Sequence, residues 1–162
     1  MDRPAGDTSD LLQQAAGLFA GERDPWANAA NTAALVYELL PRLNWAGFYF
    51  LRGGELVVGP FQGRAACVRI PLGHGVCGTA AKSLRTVIVA DVHAFPGHIA
   101  CDTASNSEIV VPLLSGGTLI GVLDLDSPDY GRFGPDEAAL LEALAGALVA
   151  ACDWRLAGID GF

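Results

Sequence analysis

Apolar positions recur along this chain with two different periods, and the switch between them sorts it into helices at the ends and strands between. In TSDLLQQAAGLFAG, residues 8–21, Leu11, Leu12, Ala15 and Phe19 fall at helical spacing behind the cap-type residues Thr8, Ser9 and Asp10. DPWANAANTAALVYELLPRL, residues 24–43, predicts a second helix with Asp24 as its N-cap and Pro25 in its first turn. From Asn44 the period falls to two. WAGFYFLR, a Gly53-Gly54 pair and ELVVGPF predict a hairpin whose turn needs residues tolerant of positive φ. CVRIPL reads as a third strand, GHGVCGTAAKSLR as a short helix after a tight turn, and the β-branched TVIVADV as a further strand. SEIVVPLLS, Gly116-Gly117 and TLIGVLDLDS repeat the hairpin logic. FGPDEAALLEALAGALVAACDWRL closes the chain as a long helix, with Pro135 at its start and Asp136 and Glu137 in the turn where the helix dipole favours them.

Consecutive hairpins imply an antiparallel sheet, and apolar helix faces at both chain ends need a surface to cover. The fold class expected is therefore α+β, with the N- and C-terminal helices packed on one face of the sheet. No repeat, low-complexity segment or Pro/Ser-rich linker divides the 162 residues, so residues 1–162 read as one domain, large enough to be stable without a disulfide or metal staple.

Charge narrows the function classes. Eighteen acidic against ten basic residues give a net charge of −8, and no segment carries a stripe of Lys or Arg, so nucleic acid and anionic membranes are poor partners. The longest apolar runs are strand-sized or broken by charge, and the start MDRPAGDTSD has neither a basic nor an apolar leader region; a cytoplasmic location is expected. In such a reducing compartment a cysteine with a function is more often catalytic or metal-binding than structural.

There are four cysteines. Cys101 stands out because HAFPGHIACDTASNSEIVVP, residues 93–112, opens too polar and too broken by Pro96 and Gly97 to be core. Its neighbour Asp102 would raise a thiol pKa, which gives His93, His98 or backbone N–H groups a supporting part in opposing it. On pattern alone Cys67, at the start of an apolar strand, and Cys77, among glycines, suit buried positions, and Cys152 in VAACDWRL reads as packing. Asp124 and Asp126, two apart on one strand, share a sheet face while Leu125 takes the other; Trp45 and Tyr49 share a face by the same period.

The combination of GHGVCGTAA, DVHAFPGHIACDTASNSEIVVPL and GVLDLDS, preceded by NWAGFYF, closely resembles the free methionine-(R)-sulfoxide reductases, which have the GAF fold; the resemblance runs from about Trp45 to Leu144. It implies an enzyme that reduces free methionine-(R)-sulfoxide. Cys101 would be the sulfur nucleophile, Cys67 the main resolving cysteine and Cys77 an auxiliary. Glu108, Asp124 and Asp126 would surround the substrate, with Trp45 and Tyr49 walling the methyl-sulfoxide pocket. One carboxylate would bind the α-ammonium, and another, kept protonated by crowding, would donate a proton to the sulfoxide oxygen. A thiolate attacks sulfur, methionine leaves, and the resulting sulfenic acid condenses with a second thiol to a disulfide. The chemistry requires no cofactor and no metal, since electrons enter through that disulfide from a dithiol such as thioredoxin. The first helix has enough apolar surface for a homodimer contact.

Two other readings compete. A GAF-type sensor would bind a cyclic nucleotide or another small effector without catalysis, although no coiled-coil run or linker offers a route for its signal. A metal site from His93, His98, Cys101 and Asp102 has a spacing that matches no common zinc pattern.

Overall fold

The computed structural model describes residues 9–162, so the cap role read for Thr8 lies outside the described residues. Helix α1 (Ser9–Phe19) leads into α2 (Pro25–Leu39), whose N-cap Asp24 accepts from Ala27 N at 2.9 Å, with Pro25 at its start. Strands β1 (Trp45–Arg52) and β2 (Glu55–Gly63) form the first hairpin, and β5 (Ser107–Ser115) and β6 (Thr118–Ser127) the second. Both turns are Gly-Gly pairs with positive φ, 61° and 80° at Gly53 and Gly54 and 56° and 83° at Gly116 and Gly117. Such backbone matches the twist of the strands it joins. Between the hairpins lie β3 (Arg69–Pro71), α3 (Gly75–Ser83) and β4 (Val87–Val89), and α4 (Pro135–Ala151) closes the fold, with Asp136 and Glu137 in its first turn.

All strand pairs are antiparallel, in the order β3-β2-β1-β6-β5-β4. The fold is thus the α+β arrangement read from the pattern. Alternation along the strands separates two apolar layers. Ala46, Phe48 and Phe50 of β1, Ile109 and Val111 of β5 and Leu123 and Leu125 of β6 face α1, α2 and α4. Trp45 and Tyr49, Val110 and Val122 face the other way, where α3 packs with Val76, Cys77, Ala80 and Ala81. At roughly 25 cal/mol per Å² of apolar surface removed from water, the larger helix-side layer is the main source of stability.

Two expected strands are shorter than their sequences suggest. CVRIPL pairs only from Arg69, so Cys67 is not on a strand. Residues 64–67 are held off the ladder instead: Trp45 Nε1 donates to Arg64 O at 3.1 Å, and a disulfide joins Cys67 to Cys101. TVIVADV pairs only over Val87–Val89, because the Asp91 carboxylate accepts from His93 N and starts a short 3₁₀ turn, Val92–Ala94.

Candidate active site

Register decides what the second sheet face presents. Trp45 lies opposite Asp126 across β1 and β6, and Asp126 lies opposite Glu108 across β6 and β5. Asp124 stands opposite Val110, two residues along. Three carboxylic residues therefore stand on the central strands β5 and β6, whose positions are fixed by neighbours on both sides. Glu108 and Asp124 are 6 % and 5 % exposed. Carboxyl groups so placed are costly to ionise, and the cost is visible in their proton affinities.

Burial first, then the charge of Asp126, pushes Glu108 well above the usual carboxylate range. Burial and the neighbouring Glu108 do the same for Asp124, and burial with Asp124 and Asp102 for Asp126. Glu108 and Asp124 also interact directly with each other, so the two protons are held by the pair as a whole. Asp124 Oδ1 is buried without a hydrogen-bond partner. The cluster thus combines proton donors with an open acceptor position, a pattern suited to a cationic ligand and to acid catalysis.

A small, partly open pocket lies over this row. Trp45, Tyr49, Cys77, His98, Cys101 and the three carboxylic residues all line it. The Trp45 ring stacks on Tyr49 and Phe61, with centroids 5.8 and 5.2 Å away. Such pairs add about 0.5–1.5 kcal/mol each to area burial and make a rigid wall. Gly47 is needed beneath them, since a Cβ there would lie 2.3 Å from Phe61 Cβ and 2.8 Å from the Trp45 ring. The Tyr49 hydroxyl, buried beside Asp124, is pushed far above its usual pKa and stays protonated.

Cys77 sits in the first turn of α3 and donates toward Glu108 Oε1 at 3.9 Å. Burial, then the charges of Asp124 and Glu108, push its thiol well up, so it remains a thiol. The helix can come this close because Gly78 has no Cβ: one would lie 2.5 Å from Pro71 O. Ligand atoms of Cys77, Glu108 and Asp124 all lie within 4.8 Å of one another, so these three, rather than the His93, His98, Cys101 and Asp102 set, are the residues that could converge on a metal ion. His93 is exposed, 2.9 Å from Asn106 Oδ1, and Cys101 is bonded to Cys67.

Cys101 lies in the long loop between the 3₁₀ turn and β5, bonded to Cys67 with 5.5 Å between their Cα atoms. His98 Nε2 stands 3.6 Å from Glu108 Oε2, and burial lowers its pKa. Pattern reading missed the residues that fasten this loop. Asn44 Nδ2 donates to Asp102 Oδ2 at 3.1 Å and to Ser105 Oγ at 2.9 Å, and Ala104 N donates to Asp102 Oδ1 at 2.9 Å. The run of Asp, Ser and Asn is the only sequence signal of such a clasp, since these side chains habitually bond nearby backbone. Cys152 lies outside the site, buried under Asn28, whose Nδ2 is 3.4 Å from its sulfur.

A sheet with helices on one face, a pocket under a short helix on the other, and a disulfide that brings Cys101 to its wall agree with a family model, the GAF domain, that matches residues 27–153. Within that class the likeness is specific. The chain is 54% identical over 138 residues to the free methionine-R-sulfoxide reductase of Escherichia coli, covering 85% of this chain and 84% of that one. It is 43% identical over 153 residues to the free methionine-R-sulfoxide reductase of Saccharomyces cerevisiae, covering 90% and 85%. The structure of the Neisseria meningitidis free methionine-R-sulfoxide reductase in complex with its substrate superposes with a TM-score of 0.87 at 46% identity, covering 91% of this chain and 92% of that one. The chain belongs to the free methionine-R-sulfoxide reductase family.

Proposed function

We propose that this chain reduces free L-methionine-(R)-sulfoxide to methionine, with Cys101 as nucleophile, Cys67 as resolving cysteine and thioredoxin as reductant. The observation that carries the reading is the placement of buried Glu108 and Asp124 and half-buried Asp126 on one sheet face, in the pocket that Cys101 lines while bonded to Cys67. A free amino acid brings an α-ammonium, for which buried carboxylates are a charge-assisted partner; an amide nitrogen in a peptide is not. Trp45 and Tyr49 wall the side that takes the methyl group.

The chemistry balances in three steps. The Cys101 sulfur attacks the sulfoxide sulfur, a protonated carboxyl delivers a proton to the departing oxygen, and methionine leaves with Cys101 as a sulfenic acid. Glu108 and Asp126 are the first choices for the carboxyl that donates this proton. The Cys67 thiol then condenses with the sulfenic acid, releasing water and forming the disulfide. A dithiol protein reopens it at the expense of its own two electrons. Cys77, held as a thiol against Glu108, supports the cluster as an auxiliary.

The whole chain, residues 1–162, acts as one unit, with α1 as the homodimer contact, in the cytoplasm where thioredoxin is available. No helix among the described residues is long and apolar enough to cross a membrane. The test is to supply each epimer of free methionine sulfoxide, and a peptide containing it, with thioredoxin and its NADPH-dependent reductase. Methionine should form from the free R epimer and scarcely from the S epimer or the peptide. Binding without release of methionine would instead identify a sensor, and equal rates on free and peptide-bound substrate would refute the carboxylate argument.

A further inference from the structure

Recycling the disulfide poses a question that the proposed reading leaves open, namely which of its two sulfurs an incoming thiolate attacks. Exchange requires the attacking, central and leaving sulfurs to lie in line, so access behind each sulfur and the charge there decide the outcome. On the Cys101 side is the pocket, whose wall includes Cys101 but not Cys67, although Ala65 and Ala66 ahead of Cys67 also line it. An attacker arriving there would have to enter a cavity fitted to a small molecule. It would also have to bring a thiolate into a pocket where burial, and then the acidic groups, already push the neighbouring Cys77 thiol up.

The surroundings of Cys67 are the reverse. It stands in residues 64–68, outside the strands and half-buried, among the exposed Arg64 and Ala65 and the 60 % exposed Val68. This segment is held in place by its backbone, through Trp45 Nε1 to Arg64 O and Val58 N to Val68 O at 2.9 Å; Ala65 and Ala66 line the pocket, while Arg64 and Val68 are exposed. Val68 is the most exposed of the large aliphatic residues next to either sulfur, and Arg64 supplies positive charge on the approach.

We propose that a protein dithiol docks over residues 64–68 and attacks the sulfur of Cys67, so that Cys101 is the group released. This inference rests on the reading of the Cys67–Cys101 disulfide as the recycled species. The reductant thiolate forms a bond to Cys67 while the Cys67–Cys101 bond breaks, and the electron pair goes to Cys101, which regains the nucleophile inside the pocket. The reductant's second thiolate then attacks its own partner sulfur in the mixed disulfide, Cys67 leaves as thiolate, and the reductant departs oxidised. Water restores the protons. Val68 is the apolar anchor of the docked partner, and the substrate pocket need not open during recycling.

The test uses the oxidised full chain and a thioredoxin whose second active-site cysteine is serine, which arrests exchange at the mixed disulfide. After an acid quench and alkylation, peptide mass spectrometry locates the adduct. Expected is thioredoxin on Cys67 with Cys101 alkylated. An adduct on Cys101, or equal amounts on both, overturns the proposal while leaving the recycled disulfide in place. No adduct on either, with dithiothreitol still opening the disulfide, overturns the proposal together with the assignment of thioredoxin. In steady state, Val68→Glu should lower the ratio of thioredoxin-supported to dithiothreitol-supported turnover several-fold; an unchanged ratio removes Val68 from the docking surface and overturns that part.

Discussion

Replacing Glu108 by Gln should make this protein a worse enzyme and a more stable fold, and the two signs together test the role of the buried cluster. The side chains are nearly the same size, so the packing of Cys77 and His98 against position 108 is retained. In the folded chain burial and Asp126 raise the Glu108 pKa well above its unfolded value. The folded state therefore binds this proton more tightly than the unfolded one. Stability from that proton is fully present below the unfolded pKa and declines as pH rises toward the folded pKa, by about 1.36 kcal/mol for each unit crossed. Gln imitates the protonated form at every pH. Its melting temperature should match the parent near pH 4 and exceed it increasingly toward neutrality. Turnover should fall by about 10²- to 10⁴-fold, the usual loss on removing a positioned acid. Scanning calorimetry from pH 4 to 8 and single-turnover release of methionine are the assays. A variant that keeps its rate refutes the catalytic part, and one less stable than the parent at pH 7.5 refutes the account of the cluster as a costly burial of charge.

Single-turnover reactions without reductant separate the cysteines: Cys101→Ser should release essentially no methionine, whereas Cys67→Ser should release about one per chain and retain a sulfenic acid that a dimedone adduct reveals by mass spectrometry. Asp126→Asn should also lose turnover by on the order of 10²-fold or more, with far-UV circular dichroism unchanged. Gly121→Ala should be among the most damaging substitutions, because its Cβ would lie 2.2 Å from Tyr49 O and 2.9 Å from Phe50 Cα, backbone atoms that cannot step aside; a loss of about 1–3 kcal/mol or more in urea unfolding is expected. Cys152→Ser should change neither methionine release nor recycling, since Cys152 is buried beneath Asn28 on the helix side of the sheet.

What could be read in advance followed the chemistry of individual residue types. Period two in GVLDLDS placed Asp124 and Asp126 on one face and Leu125 on the other, and the helix-side layer holds Leu125 while the pocket holds both aspartates. Glycine pairs marked both hairpin turns because positive φ at two successive residues admits few alternatives. Cys67 was misplaced on a strand because VRIP carries a strand pattern regardless of what the preceding residues do, and those are held by Trp45 and by a sulfur 34 residues away. The clasp of Asn44 on Asp102 and Ser105 spans 58 and 61 residues, beyond the reach of local periodicity. Nor does spacing say that Glu108 stands opposite Asp126; strand register decides that, and register is a property of the assembled sheet.

The link between Cys67 and Cys101 also acts on the chain when it is not folded. Closing a loop across a separation of 34 residues removes conformational freedom from the denatured ensemble worth roughly 3–4 kcal/mol at room temperature. For a chain of this length that corresponds to roughly 8–15 °C in melting temperature. Each turnover would then tighten the chain on oxidation and loosen it on reduction. Starved of reductant, the protein would accumulate in its more heat-resistant form, so that a thermal melt taken during catalysis would read out the balance between oxidised substrate and reducing power.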